Sequence, residues 1–418
     1  MSSIKPFKIA IPDSELADLK ERLLRTRYQD ELKDVNRERG VLLADVKRIA
    51  KHWATTFDWR KAEATLNQFP QFTTDIAAEG FDPVTVHFIH VKSAAKGAIP
   101  MMFVHGWPGS FLEGTKIIAP LTEGTPAFDI VIPSLPNFGF SGGINKPGFS
   151  VDQHAEILHK LMLRLGYDEY VTQGGDWGAF ITRAMASAYS PRHLKAQHLN
   201  LGFYSFPSFW RTPSLFLQSM LTPFTLKEKA GLEKTGRFFT EGNGYGAIQS
   251  TRPQTLGYGL TDSPTGLLAW VYEKLHDWAD EYPWTEDEIC TWVSIYWFST
   301  AGPAASTRLY YEFQQGITTT IERLRGWMDV KVGFGQFPDD VTTLPLLWAK
   351  QLGPTVFQRE HPDGGHFPAW EKPEYVVADL RDMFGRGGGA EGVMKGTNLT
   401  REKKCVTIRE PGGKECIG

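Results

Sequence analysis

Cysteine is almost missing from this chain of 418 residues. Its 3 cysteines, Cys290, Cys405 and Cys416, are too few and too scattered for a disulfide framework or a zinc site. A reducing cytoplasm is therefore the expected compartment. Long apolar runs are lacking as well, since no stretch approaches the roughly 20 residues of a membrane span. The start, Met1-Ser2-Ser3-Ile4-Lys5-Pro6, does not read as a secretory signal, so a protein without a membrane anchor is expected. Charge of one sign is also wanting: 45 Lys and Arg against 48 Asp and Glu leave a net −3. With no basic patch interleaved with aromatics, nucleic acid is not an expected partner.

What the chain does hold is aromatic. Thirteen Trp, 13 Tyr and 27 Phe exceed ordinary core needs, and many fall between residues 203 and 313. Such side chains line apolar ligand pockets, although they also fill cores.

Residues 1–95 read as a mainly helical N-terminal extension. Asp13 is placed to cap a helix bearing Leu16, Leu19 and Leu23 on one face, and a second helix carries Leu42, Val46, Ile49 and Trp53. A third runs from Trp59 to Leu66. Val84-Thr85-Val86-His87-Phe88 alternates as a strand, on which His87 and His90 would point to opposite faces and could not share a metal. Apolar runs at 99–104 and 128–132, a helix over 151–165, a strand at 170–173 with its helix, and a strand near 194–201 then set up an α/β pattern. Strands alternating with helices predict a mostly parallel sheet with helices on both faces, binding ligands at the strands' carboxyl ends. Prolines 207, 213, 223, 253, 264 and 283 break the alternation, so 204–324 reads as an inserted helical lid. The core, begun at 96–203, resumes over 325–386 with strands at 330–334 and 355–359 and a closing helix at 373–384. The Gly-rich run from Gly387 opens a mixed polar stretch, 387–418, expected as a disordered tail.

Within that frame, Gly174-Gly175-Asp176-Trp177-Gly178 joins a strand to a helix as a nucleophile elbow does, with small residues on both sides of the central one. The central residue is neither Ser nor Cys but Asp176, which disfavours a serine esterase. A carboxylate can displace a leaving group from saturated carbon and leave an alkyl ester on the protein. The partners should follow in the order acid, then histidine. His366, after the last core strand and behind Gly364 and Gly365, best fits the base. Its acid is one of Asp339 and Asp340, which spacing does not separate; Asp363 reads as a turn former. Backbone N–H groups of Trp177 and of Trp107, in His105-Gly106-Trp107-Pro108-Gly109, fit an oxyanion hole. The tight turn makes Trp107–Pro108 a candidate cis peptide.

These motifs carry a resemblance. From Pro6-Phe7-Lys8 to Phe384 the chain resembles a fungal member of the microsomal-type epoxide hydrolases, within the α/β-hydrolases. It shares Phe57-Asp58-Trp59-Arg60-Lys61, the HGWPGS and GGDWG runs, Ile248-Gln249-Ser250-Thr251-Arg252-Pro253, Asp262-Ser263-Pro264 and Gly364-Gly365-His366-Phe367. The resemblance implies two lid tyrosines, Tyr245 and the Tyr310 of Arg308-Leu309-Tyr310-Tyr311-Glu312, with Tyr311 the neighbour to be distinguished. It also favours Asp340, closing Phe337-Pro338-Asp339-Asp340, as the charge-relay acid. It implies catalysis without metal or organic cofactor, an epoxide substrate and a homodimer through the lid; the aromatic content points to an aromatic or bulky apolar epoxide. The 387–418 stretch matches nothing in that family.

The mechanism so implied has Asp176 attack a ring carbon while Tyr245 and Tyr310 protonate the ring oxygen. His366, oriented by Asp340, then activates water against the ester to release a vicinal diol. Two rivals stand beside it. A haloalkane dehalogenase uses the same aspartate elbow with Trp107 and Trp177 near the halide, and a catalytically silent binding protein would have lost an Asp, His or Tyr that this chain retains.

Overall fold

The structure, a computed structural model, describes residues 3–34 and 36–394. Its centre is a nine-stranded sheet: β1 (Lys5–Phe7), β2 (Gln71–Ile76), β3 (Val84–Val91), β4 (Ile99–Val104), β5 (Phe128–Pro133), β6 (Tyr170–Gly174), β7 (Leu194–Leu199), β8 (Lys331–Gln336) and β9 (Thr355–Glu360). The spatial order is β1-β2-β3-β5-β4-β6-β7-β8-β9. From β5 to β9 every pairing is parallel, whereas β1, β2 and β3 join antiparallel. Of the parallel strands, β4 and β5 are the near-continuous apolar runs expected where helices cover both faces. β4 lies between β5 and β6, so the strand order reverses there, and Val104 pairs with Gly174 at the ends of β4 and β6. The loops opening with His105 and with Gly175 therefore leave the sheet side by side at the switch point, where such sheets bind ligands.

β1 and β2 are absent from the sequence reading. β1 is a three-residue edge strand holding Pro6, and Gln71–Ile76 is polar, with no clean two-residue alternation. His87 and His90 do face opposite ways: His87 bonds Ser134 and Gln71 inside the core, and His90 bonds Tyr167. Burial drives the His87 pKa down to about 3, so it serves as a neutral strut. Among the described residues no group of three or more His, Cys, Asp or Glu could hold a metal ion. Nor is any helix of the described residues long and apolar enough to cross a membrane.

Between β7 and β8 the chain makes only helices, including Leu226–Arg237, Gly244–Thr251, Pro264–Asp277, Glu286–Trp297 and Arg308–Gln315. The N-terminal extension clasps this cover. Arg22 donates to the Asp262 carbonyl at 2.9 Å, Thr26 meets Thr265 at 2.7 Å, His52 pairs with Asp287, and the buried Trp53 Nε1 donates to Ser294 Oγ at 3.0 Å.

Two expectations need correction. The first helix is Asp13–Leu24, so Asp13 is its first residue rather than its cap; the capping position is Pro12, and no side chain caps it. An acidic residue in the first turn still suits the helix dipole. The stretch from Gly387 is ordered at its start. Ala390 is buried and donates to the Met383 carbonyl, and Lys331 Nζ bonds the Gly389 carbonyl at 2.8 Å. Gly388 and Gly389 lie so close to Met383 and Val356 that a side chain would collide, which is how a Gly-rich run comes to pack. The rest of that stretch, 395–418, lies outside the described residues.

Candidate active site

β6 ends at Gly174, and the helix Asp176–Tyr189 begins on Asp176 itself, at φ 47°. A non-glycine residue in this left-handed region is held there by its surroundings. The glycines make the crossing possible. A methyl group on Gly178 would overlap the Val104 carbonyl, and one on Gly106 would overlap the Asp176 carboxylate. Freed of side chains, the β4 loop closes on the elbow, and Trp107 N–H donates to Asp176 Oδ1 at 2.7 Å. Trp107–Pro108 is cis. Trp177 N–H lies in the first helical turn, where the helix offers it no carbonyl. His105, buried and held neutral by that burial with a pKa near 4, braces the loop by bonding the Gly106 carbonyl and Leu135 N–H.

His366 reaches the elbow from the loop after β9. Its Nε2 stands 3.5 Å from Asp176 Oδ2, and its Nδ1 is 2.6 Å from Asp340 Oδ1. Geometry separates the two aspartates that spacing could not. Asp340 is 1% exposed and turns inward to His366, whereas Asp339 turns outward and pairs with Lys234 at 2.8 Å. Asp363 pairs with Lys372. Burial works to lower the His366 pKa, but Asp340 and Asp176 outweigh it and raise the imidazole well above its usual value. Three further residues escaped the sequence reading. Glu371 is buried, and its carboxylate takes N–H bonds from Asp280, Gly365 and Phe367, fixing the loop that presents His366. Trp278 sets its ring edge-on to the His366 imidazole and accepts the His366 N–H. Glu113 sits buried beneath the β4 loop.

Tyr245 and Tyr310 arrive from the lid. The Tyr245 ring stacks on Trp107, with centroids 5.1 Å apart and planes at 9°, and Tyr310 stands edge-on to Trp177 at 4.8 Å. The two phenol rings lie 5.9 Å apart. Arg308 donates to the Ile144 carbonyl and Glu312 accepts from Gly148 N–H, so the two charged residues flanking Tyr310 pin its helix to the core. Tyr311, on the other side of that helix, is 38% exposed. Burial, with Asp176 nearby, pushes both phenols well above the usual tyrosine range, so both remain protonated donors at neutral pH. A cavity of about 810 Å³ opens over Asp176 between Tyr245 and Tyr310, walled by Phe180, Phe203, Phe238 and Phe313 among others.

A parallel sheet with an elbow at its switch point and a helical insertion before β8 defines an α/β-hydrolase. Comparison with known proteins agrees and goes further. Residues 4–114 match the family described as epoxide hydrolase N terminus, and residues 99–229 match the alpha/beta hydrolase fold. The chain is 36% identical over 415 residues to Epoxide hydrolase 1 of Sus scrofa, covering 92% of this chain and 89% of that one. The Aspergillus niger epoxide hydrolase structure superposes with a TM-score of 0.79 at 34% identity, over 90% of this chain and 95% of that one. The juvenile hormone epoxide hydrolase of Bombyx mori gives 0.82 at 31% identity, over 91% and 93%. The chain belongs to the epoxide hydrolase family, and is a hydrolase of that class.

Proposed function

We propose that the protein opens an epoxide to a vicinal diol in two half-reactions, with Asp176 as the nucleophile. The reading rests above all on the Asp176 carboxylate, held between Trp107 N–H at 2.7 Å and His366 Nε2 at 3.5 Å. In the first half-reaction one carboxylate oxygen attacks a ring carbon. The C–O bond breaks as Tyr245 and Tyr310 hydrogen-bond the ring oxygen and deliver a proton. In the second, His366 takes a proton from water, the hydroxide adds to the ester carbonyl carbon of Asp176, and the tetrahedral oxyanion collapses to release the diol. Trp107 and Trp177 N–H groups hold that oxyanion, a contribution of about 3 kcal/mol per donor in comparable sites.

Electrostatics would time the two steps. While Asp176 is ionised its charge helps to keep His366 protonated. Esterification neutralises Asp176 and removes that support, so the imidazole pKa falls and the ring becomes a base when one is needed. The sign is testable. Ester hydrolysis, followed in single turnovers, should need His366 neutral and so rise with pH. Its acid limb should lie below the histidine titration of the free enzyme. In Asp340→Asn the remaining supporting charge is lost, and the limb should move to still lower pH while hydrolysis slows by about 10⁴-fold, because the imidazole loses its orienting acceptor. An unmoved limb would remove Asp340 from the relay.

Tyr245→Phe and Tyr310→Phe should each slow alkylation by about 100-fold, the lower end of what general acids contribute. Stopped-flow measurement of the protein fluorescence change on alkylation reads this directly, and a neutral result for one would reassign that tyrosine. The aromatic walls of a cavity of about 810 Å³ favour bulky apolar or aryl epoxides of the styrene oxide type. The decisive experiment on the route is one turnover in heavy-oxygen water with enzyme in excess. Label must enter the Asp176 side chain; label only in the diol would exclude the covalent ester.

A further inference from the structure

Lys274 is a buried cation to which the two half-reactions give no task. It lies in the last turn of the lid helix Pro264–Asp277 and is 4% exposed, a place where lysine is seldom found. Its ammonium pairs with Glu273, the residue before it in the chain, whose side chain is 31% exposed. Such a pair adds little stability, because apolar residues of like volume often serve as well in a buried position. The ammonium is set against rings instead. Nζ stands over the Tyr245 ring, 4.8 Å from its centroid, and 5.7 Å from the centroid of Trp278. Both distances lie within the range of a cation–π contact. Tyr245 thus has Trp107 stacked on its ring and an ammonium over it. Among the described residues no lysine or arginine stands over the Tyr310 ring.

The contact must change in strength as the epoxide opens. Asp176 carries the negative charge at the start, and its attack passes that charge through the ring carbon to the epoxide oxygen. Proton transfer then moves it onto a phenol. A neutral tyrosine attracts the ammonium through its quadrupole alone, whereas a phenolate attracts it charge to charge. An interaction that grows toward the transition state lowers the barrier. Water screens the partly exposed Glu273 more than the buried ammonium, so the pair does not cancel this field. We infer that Lys274 selects Tyr245 as the phenol that gives up its proton, by stabilising the charge that Tyr245 acquires, and leaves Tyr310 as a hydrogen-bond donor. This rests on the two-step reading above. The hydroxyls agree in direction: burial raises both phenols, but their mutual hydrogen bond lowers Tyr245 and raises Tyr310. The protons balance. The Tyr245 proton goes to the ring oxygen as the ring C–O bond breaks and the Asp176 O–C bond forms. The proton that water gives His366 in the second half-reaction restores the phenol.

Lys274→Met keeps the length of the side chain and removes its charge. Rapid-mix intact mass spectrometry separates ester formation from ester loss. It should show alkylation slowed by about 30-fold, the scale of a desolvated cation–π contact, with ester hydrolysis within about threefold of wild type. Lys274→Arg, which keeps the charge, should recover alkylation to within about fivefold of wild type. The background decides the assignment. In Tyr245→Phe no phenolate can form at that position, so adding Lys274→Met should cost less than about threefold more, whereas in Tyr310→Phe the loss of about 30-fold should persist. Lys274→Gln, still able to donate to Glu273, is a second neutral variant should methionine not fold, and must behave as methionine does. A neutral variant that alkylates at the wild-type rate overturns the inference, and so does an arginine variant as slow as the neutral ones. Equal slowing of both half-reactions, or an equal further loss in the two phenylalanine backgrounds, also overturns it, since either would make Lys274 a structural prop. Absence of any ester in the wild type would sink the two-step reading itself and this inference with it, a result distinct from the others.

Discussion

Asp176→Ala should form no diol and no covalent adduct while remaining folded. Deleting a nucleophile that acts as one unit with its base costs on the order of 10⁶ in turnover in other hydrolases, and no second carboxylate is aimed from the elbow. The structural cost is smaller. Alanine at φ 47° is strained by about 1–2 kcal/mol. Trp107 N–H also loses its acceptor, about 1–3 kcal/mol for a buried donor. A shift of that size lowers the melting transition of a chain this long without abolishing it. Circular dichroism and chromatographic diol assay settle the matter together, and appreciable diol from the folded variant would remove Asp176 from the mechanism.

His366→Gln should behave in the opposite way: the enzyme reacts once and stops. Attack on the ring carbon uses Asp176 and the lid phenols, and the substitution removes from these only the His366 Nε2 contact with Asp176 at 3.5 Å. Only the water-activating step lacks its base, which ordinarily contributes 10²- to 10⁴-fold, about 3–5 kcal/mol of barrier. Intact mass should rise by one substrate per chain and stay there. Glutamine can still donate to Asp340, so the buried carboxylate is not left unpaired, a situation that would otherwise cost about 3–5 kcal/mol. Absence of an adduct under excess epoxide would count against the covalent route.

The elbow, the Trp107 loop and His366 could be read in the sequence because each is a short motif tied to the end of a strand with strong apolar patterning. The contact between the elbow and the Trp107 loop follows from strand pairing, since Val104 opposes Gly174. Choices that depend on side-chain direction could not be read. Asp339 and Asp340 differ in which one turns toward Lys234 and which toward His366. Tyr310 and Tyr311 differ by one step of helical phase, one against Trp177 and one toward solvent. Glu371 and Trp278 act through loops that meet only in three dimensions, and no local pattern marks them. Glu113 did leave a trace, as a lone acid in the otherwise apolar or small run from Phe111 to Gly114, immediately after the motif. Of the sheet, the two strands that went unread are the short edge strand β1 and its polar neighbour β2.

The clasp of the first helices on the lid bears on how this enzyme can vary. On the proposed route the nucleophile and base stand on the sheet, the phenols stand on the helices between β7 and β8, and an epoxide must be gripped by both at once. Arg22, Thr26, His52 and Trp53 tie down the insertion far from the reacting atoms. With the roof bolted at its remote eaves, a roomier or narrower chamber has to come from trading wall residues such as Phe238 or Phe313, not from lifting the roof. Loosening a bolt would misalign acid and nucleophile for every substrate alike, so changes there should alter speed and leave preference untouched.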